Sequence, residues 1–183
     1  MSSADLWVTI SAEIGPGNGY FMPRAADVID SRVWIAGDAS TEVGDAHNWP
    51  AIYSSASKGA LWLPQRIYFG NRAFLRAISF GDSSNGVACG WSWPAQNRTR
   101  IPLCLYTSDA GANWYPGTIA NRLLGYWIDQ VVAGTSGSSW AVARAARGLD
   151  VVMLQSTDQG RTWQEAAGPF GPLASIRALR RTR

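Results

Sequence analysis

The stretches Thr107-Ser108-Asp109-Ala110-Gly111-Ala112-Asn113-Trp114 and Ser156-Thr157-Asp158-Gln159-Gly160-Arg161-Thr162-Trp163 share one pattern, Ser/Thr-x-Asp-x-Gly-x-x-Trp. A degraded copy, Ser55-Ala56-Ser57-Lys58-Gly59-Ala60-Leu61-Trp62, has Ser57 in the aspartate's place. Each copy follows a short apolar run: Ala51-Ile52-Tyr53, Leu103-Cys104-Leu105-Tyr106 or Val151-Val152-Met153-Leu154. These residue types suit a tight hairpin turn. The aspartate accepts hydrogen bonds from several backbone N–H groups, and the hydroxyl supports it. Glycine two places on takes a positive φ. The tryptophan then leaves the turn and buries its ring, which stabilises by roughly 1.5 to 3 kcal/mol. Ser55, Gly59, Trp62, Thr107, Asp109, Gly111, Trp114, Ser156, Asp158, Gly160 and Trp163 are therefore read as structural positions that close a hairpin and perform no chemistry.

Upstream of the motif the chain repeats with a fixed period. Val33-Trp34-Ile35-Ala36-Gly37, Gly86-Val87-Ala88-Cys89-Gly90 and Ser139-Trp140-Ala141-Val142-Ala143 begin 53 residues apart both times. Each follows a turn signal, such as Gly81-Asp82-Ser83-Ser84-Asn85, and each turn follows another apolar run, such as Leu75 to Phe80 or Ile128 to Ala133. Every repeat thus reads as two strands joined by a hairpin, a polar loop, a third strand, the motif turn and a fourth strand. A period of this length points to stacked supersecondary units.

On these motifs the chain resembles the Asp-box (BNR) repeat of sialidase-type propellers, sortilin-like receptors and the photosystem II assembly and stability factors. The run Ile78-Ser79-Phe80-Gly81-Asp82 through Gly90, leading to Trp114, is most similar to the last of these. The resemblance covers about residues 24 to 170 and implies an all-β fold, a β-propeller built of about three four-stranded antiparallel blades. Their expected limits are 24–74, 75–127 and 128–172. Residues 1–23 are expected to hold a strand segment, at about 5–12, and 173–183 the start of a further strand with a basic tail. Three blades do not close a ring. A fragment of a longer propeller is the preferred explanation, two chains completing one ring the second, and an open arc with protected ends the third.

Composition agrees with turn-rich β structure: ten tryptophans and 19 glycines stand beside 13 acidic residues, and Lys58 is the single lysine. The net charge of +3 is concentrated at one end, because Arg177, Arg180, Arg181 and Arg183 hold four of the 16 basic residues. That leaves 12 basic residues against 13 acidic ones before position 177. A nucleic-acid partner is not expected, since such binders carry a basic stripe on the folded face. The first residues have no positive n-region or signal-length apolar stretch, and nothing approaches an apolar run of about eighteen residues. The expectation is a chain without a membrane span or export address. Cys89 and Cys104 lie on neighbouring expected strands, so a cross-hairpin disulfide and two buried thiols both remain open.

Sialidases of the resembled superfamily clamp a carboxylate with three arginines and add a Tyr/Glu nucleophile pair and an acid/base aspartate. Arg100-Ile101-Pro102 matches their Arg-Ile-Pro signature, but it lies five residues before a motif copy and is read as a chance match on a third strand. Glutamates are limited to Glu13, Glu42 and Glu165. Asp38, Glu42, Asp45 and His47 form the densest polar cluster, read as a solvated loop. No catalytic residue is assigned, and neither a metal nor a nucleotide cofactor is expected. Asn97-Arg98-Thr99 matches a glycosylation sequon and carries no weight without an export signal. The binding candidates are aromatic: Trp91 and Trp93, which alternate along one strand and so share a face, and Tyr115. Trp49 lies at a strand end as well. The expected function is a non-catalytic recognition or assembly scaffold for a protein partner. The alternative is part of a carbohydrate-active, sialidase-like propeller with a glycan ligand.

Overall fold

The computed structural model describes residues 20–40, 49–93, 99–119, 123–146 and 150–166. The strands expected near both termini, the Glu42, Asp45 and His47 loop, and Asn97 and Arg98 lie outside the described residues. Every regular element described is a β-strand. The first blade contains β1 (Tyr20–Ile29), β2 (Arg32–Ser40), β3 (Trp49–Ser55) and β4 (Leu63–Pro64), paired in that order. After β5 (Arg66–Ile67), the second blade contains β6 (Arg72–Phe80), β7 (Gly86–Trp93), β8 (Ile101–Thr107) and β9 (Asn113–Pro116). After β10 (Thr118–Ile119), the third contains β11 (Tyr126–Ala133), β12 (Ser139–Ala145), β13 (Val151–Ser156) and β14 (Thr162–Glu165). First strands therefore begin at 20, 72 and 126, two to four residues before the limits expected from the motif spacing.

The blades form an arc of an incomplete β-propeller. Its second and third members carry a fifth strand: β5 runs parallel to β9, and β10 runs parallel to β14. The chain leaving one blade thus becomes the outer edge of the next. The register explains the extra strand, because Ile67 lies beside Trp114 and Ile119 beside Trp163, adding a β-branched side chain to each blade core.

Two apolar cores separate the blades. Trp34, Ile52, Leu75, Phe80, Leu105 and Trp114 fill the first, with Trp34 stacked on Phe80 at 3.7 Å and Trp114 edge-on to the same ring at 5.7 Å. The second gathers Val87, Ile128, Val131, Leu154 and Trp163 around Cys89 and Cys104. Those cysteines oppose each other on β7 and β8 and are joined by a disulfide, with Cα atoms 4.1 Å apart. The central β7 is buried along nearly its whole length because a blade covers each of its faces.

Polar ties recur between blades at repeat-related positions. The Asp27 carboxylate accepts the Phe80 N–H at 2.6 Å, and the Ser79 hydroxyl accepts the Ala133 N–H at 3.1 Å. The Trp34 indole N–H donates to the Ala110 carbonyl, in the motif turn of the next blade, at 2.9 Å.

The motif turns divide their work differently from the expectation. Thr107 Oγ1 accepts the N–H groups of Asp109 at 3.3 Å and Gly111 at 3.0 Å, and donates to Asp109 Oδ1 at 2.8 Å. The carboxylate takes one backbone N–H, that of Asn113, and the Asn113 side-chain amide. Ser156 and Asp158 repeat the arrangement with Gly160 and Thr162. The hydroxyl, fully buried, satisfies the buried donor; the aspartate sits above it at the surface. In the degraded copy Ser55 holds the Gly59 N–H, and the Ser57 hydroxyl takes the Leu61 N–H. Serine replaces aspartate with one fewer acceptor. Lys58, Ala110 and Gln159 share the positive φ of the following Gly59, Gly111 and Gly160, the conformation of a type I′ turn. A Cβ at Gly160 would collide with Val87 of the preceding blade, so this glycine also permits the blades to approach.

Candidate functional site

The motif turns occupy one end of the blades. The loops between second and third strands occupy the other, and there the repeats diverge in chemistry. The first strand of each blade carries a register shift at one residue: Arg24 on β1, Arg76 on β6 and Asp129 on β11. These bulges re-aim one side chain per blade. Because β1, β6 and β11 are the strands through which neighbouring blades pack most closely, the three bulges lie side by side where the blades converge.

Each bulge residue meets a partner from its second strand, and those partners are again 53 residues apart: Asp38, Trp91 and Arg144. In the first blade Arg24 Nε binds Asp38 Oδ1 at 3.1 Å, with the Asp38 side chain fully buried. In the third blade the signs are exchanged, and Arg144 Nε binds Asp129 Oδ2 at 2.7 Å. The second blade has no carboxylate at this place. The Arg76 guanidinium lies 4.8 Å from the centre of the Trp91 ring instead.

Arg100 enters the same cluster from the loop before β8. Its guanidinium is 5.0 Å from the Trp91 ring, 5.5 Å from Trp127 and 5.9 Å from Trp93. Arg72 lies 5.8 Å from Trp93. Among the described residues, neither Arg76 nor Arg100 has a carboxylate within salt-bridge distance. Burial, followed by the positive charge of Arg24, lowers the Arg76 pKa; Asp38 and Asp129 act in the opposite direction, and Arg100 adds to the lowering. An arginine remains protonated regardless. Three buried polar atoms of the cluster also have no hydrogen-bond partner among the described residues: Arg72 Nε, Trp91 Nε1 and Asp129 Oδ1.

Trp91 and Trp93 reach this cluster, but they do not form a flat open platform. Trp91 is only 5% exposed, stacked on Phe74 at 4.8 Å, and Trp93 meets the edge of Phe74 at 5.5 Å. The arginines are what the site presents. Tyr115 lies elsewhere, on the outer strands of the second blade, stacked on Tyr68. Trp49 is exposed on β3. Asp38, assigned by its sequence to a solvated loop, is instead a buried ion-pair partner. Arg100, dismissed as a chance signature match, lies at the centre of the aromatic cluster. The period itself was the missed signal, since adding or subtracting 53 from Trp91 gives Arg144 and Asp38. No grouping of histidine, cysteine and carboxylate side chains able to hold a metal occurs among the described residues. No described helix is long and apolar enough to cross a membrane.

No family model and no curated protein matches the chain. Solved structures do. YCF48 bound to D1 peptide superposes with a TM-score of 0.54 at 18% identity, over 79% of this chain and 40% of that one. The Hadza microbial sialidase Hz136 gives 0.50 at 13% identity, over 74% and 30%. A protein of unknown function from Dyadobacter fermentans gives 0.56 at 14% identity, over 79% and 49%. The chain thus spans less than half the length of each of these proteins, and the likeness establishes the propeller fold alone.

Proposed function

We propose that this chain is a non-catalytic recognition scaffold whose converging blade face binds a carboxylate-bearing segment of a partner protein. The observation that carries the reading is Arg76: at the position where the flanking blades form internal salt bridges, the central blade sets its arginine against an indole, with no carboxylate at salt-bridge distance among the described residues. Arg100 and the indoles of Trp93 and Trp127 supply a second cation and apolar walls. That YCF48 has been solved with a peptide supports the same reading. The motif residues serve as closures at the opposite end and take no part in binding.

The carbohydrate-active reading draws support from the convergence of Arg24, Arg76 and Arg100. The described residues supply no further part of that machinery: their one glutamate, Glu165, lies on β14, and Asp38 and Asp129 are both engaged by arginines. Calorimetric titration of an acidic decapeptide into the wild type and into Arg76→Gln and Arg100→Gln separates the readings. Binding that weakens at least tenfold in either variant, with an unchanged melting temperature, supports recognition. Equal affinity in all three proteins, or turnover of a sialoside substrate, refutes it.

A further inference from the structure

Arg100 belongs to the second blade, on the loop immediately before β8, yet the third blade holds both its main chain and its side chain. The Arg100 carbonyl accepts the Gly125 N–H at 2.7 Å, and the Gly125 carbonyl accepts the Ala146 N–H at 2.7 Å. Gly125 directly precedes β11 and Ala146 directly follows β12. The open ends of that strand pair therefore meet at the glycine, which ties them across the blade joint to Arg100. Gly125 has a φ of +82°, and a Cβ there would meet nothing within 4 Å. The position needs glycine for its backbone conformation and not for lack of room. Two residues on, the Trp127 indole lies 5.5 Å from the Arg100 guanidinium and joins Trp91, at 5.0 Å, and Trp93, at 5.9 Å, around it. Trp127 is seated by its own blade, where it pairs across the strands with Arg144, the arginine that binds Asp129.

We propose that Gly125 and Trp127 are positioning residues for Arg100, so that the second cation of the binding face is placed by the third blade and the site is complete only when these two blades are docked. The inference rests on the reading of that face as a surface for acidic segments. Its physical basis is preorganisation. An arginine on a loop surrenders backbone and rotamer freedom when a ligand engages it, and that loss is subtracted from the affinity. Arg100 has given up both beforehand: the Gly125 hydrogen bond fixes its main chain, and three indoles restrict its guanidinium. Arg76 has no such need, because it lies within β6. The indoles also select the kind of cation. A guanidinium can lie against aromatic rings and still offer N–H groups to a carboxylate in a fixed fork, whereas a lysine ammonium is a strongly hydrated point charge without that fork.

The test joins a double-mutant cycle to a measurement that needs no ligand. In the cycle, the acidic decapeptide is titrated into the full chain as wild type, Trp127→Leu, Arg100→Gln and the double variant. Trp127→Leu is expected to weaken binding about fivefold or more in the wild type and by less than about twofold beside Arg100→Gln, as for two residues that act through one group. A wall touching the peptide directly, or a general loss of fold, would weaken both backgrounds equally, and that result overturns the proposal. Arg100→Lys is expected to bind as weakly as Arg100→Gln. In the second measurement, the rate at which phenylglyoxal modifies Arg100 is followed by peptide mass spectrometry, with the exposed Arg66 as the internal reference. The rate should rise severalfold in Trp127→Leu and in Gly125→Ala while that of Arg66 stays constant. Gly125→Ala places its methyl group in open space, so it tests the anchor even where Trp127→Leu impairs folding. Equal Arg100 rates in all three proteins overturn the positioning role, and peptide binding by the wild type would then leave the recognition reading standing. No peptide binding by any protein, with Arg100 shielded in the wild type and released in both variants, refutes the recognition reading and upholds the positioning.

Discussion

The two ends of the blades use the same repeat in opposite ways. At the turn end, three copies of one motif are nearly interchangeable: Ser55, Thr107 and Ser156 each hold the N–H of the residue four places on. At the loop end, equivalent positions hold three different pairs, arginine with aspartate, arginine with tryptophan, and aspartate with arginine. A repeat protein needs every blade to close its hairpins, so the turn end tolerates little variation. It needs only one blade to present a binding group, so the loop end is free to differ. On the proposed function, stability and recognition are carried by opposite ends of the same strands.

The sharpest way to break this comparison is to remove a turn-end anchor. Trp163→Ala, at a site 1% exposed, is expected to cost about 3 to 5 kcal/mol and to lower the denaturant midpoint accordingly. A change below about 1 kcal/mol would show that the ring is not part of the core. Next in size is Ser156→Ala, which leaves the buried Gly160 N–H without an acceptor and is expected to cost about 1 to 3 kcal/mol. Asp158→Ala is smaller, about 1 kcal/mol, because apart from the Ser156 hydroxyl the donors it receives come from the more exposed Thr162. If the aspartate substitution proves the more costly of the two, the division between hydroxyl and carboxylate described above is wrong.

The carboxylates also set an acid limit. For Asp109 and Asp158 burial is the largest single influence and raises the pKa, but the hydrogen bonds from Asn113 and Thr107, and from Thr162 and Ser156, together outweigh it and lower the value below 3.8. A lowered folded-state pKa gives stability that is present above the unfolded value and is lost as the pH falls through the folded one. Wild type should therefore be more stable than the Asp109→Asn, Asp158→Asn double variant at neutral pH and lose that advantage below about pH 4. A difference that stays constant from neutral pH to about pH 2, in urea titrations, would exclude this origin. The smallest stability effect belongs to the loop end, where Arg76→Gln should change the unfolding free energy by no more than about 1 kcal/mol, the scale of a cation–π contact.

The sequence by itself determined the repeat, the strand order within each blade and the hairpin turns. Those features depend on local chemistry, on residues two to eight apart along the chain, and a motif copied three times reports them redundantly. It also placed the motif glycines Gly59, Gly111 and Gly160 at positive φ, but not Gly125 and Gly137, nor Asp30, Lys58, Ala110 and Gln159, which share that conformation. Tertiary structure alone decided the rest. The fifth strands β5 and β10 are two residues long and arise only because one blade hands its chain to the next. The disulfide needed the register that sets Cys89 opposite Cys104. The bulges at Arg24, Arg76 and Asp129 re-aim side chains that periodicity assigned to no face, and the convergence of the first strands brings residues more than 50 positions apart into one charged cluster. Whether a cation there meets a carboxylate or an indole depends on what lies across the sheet from it.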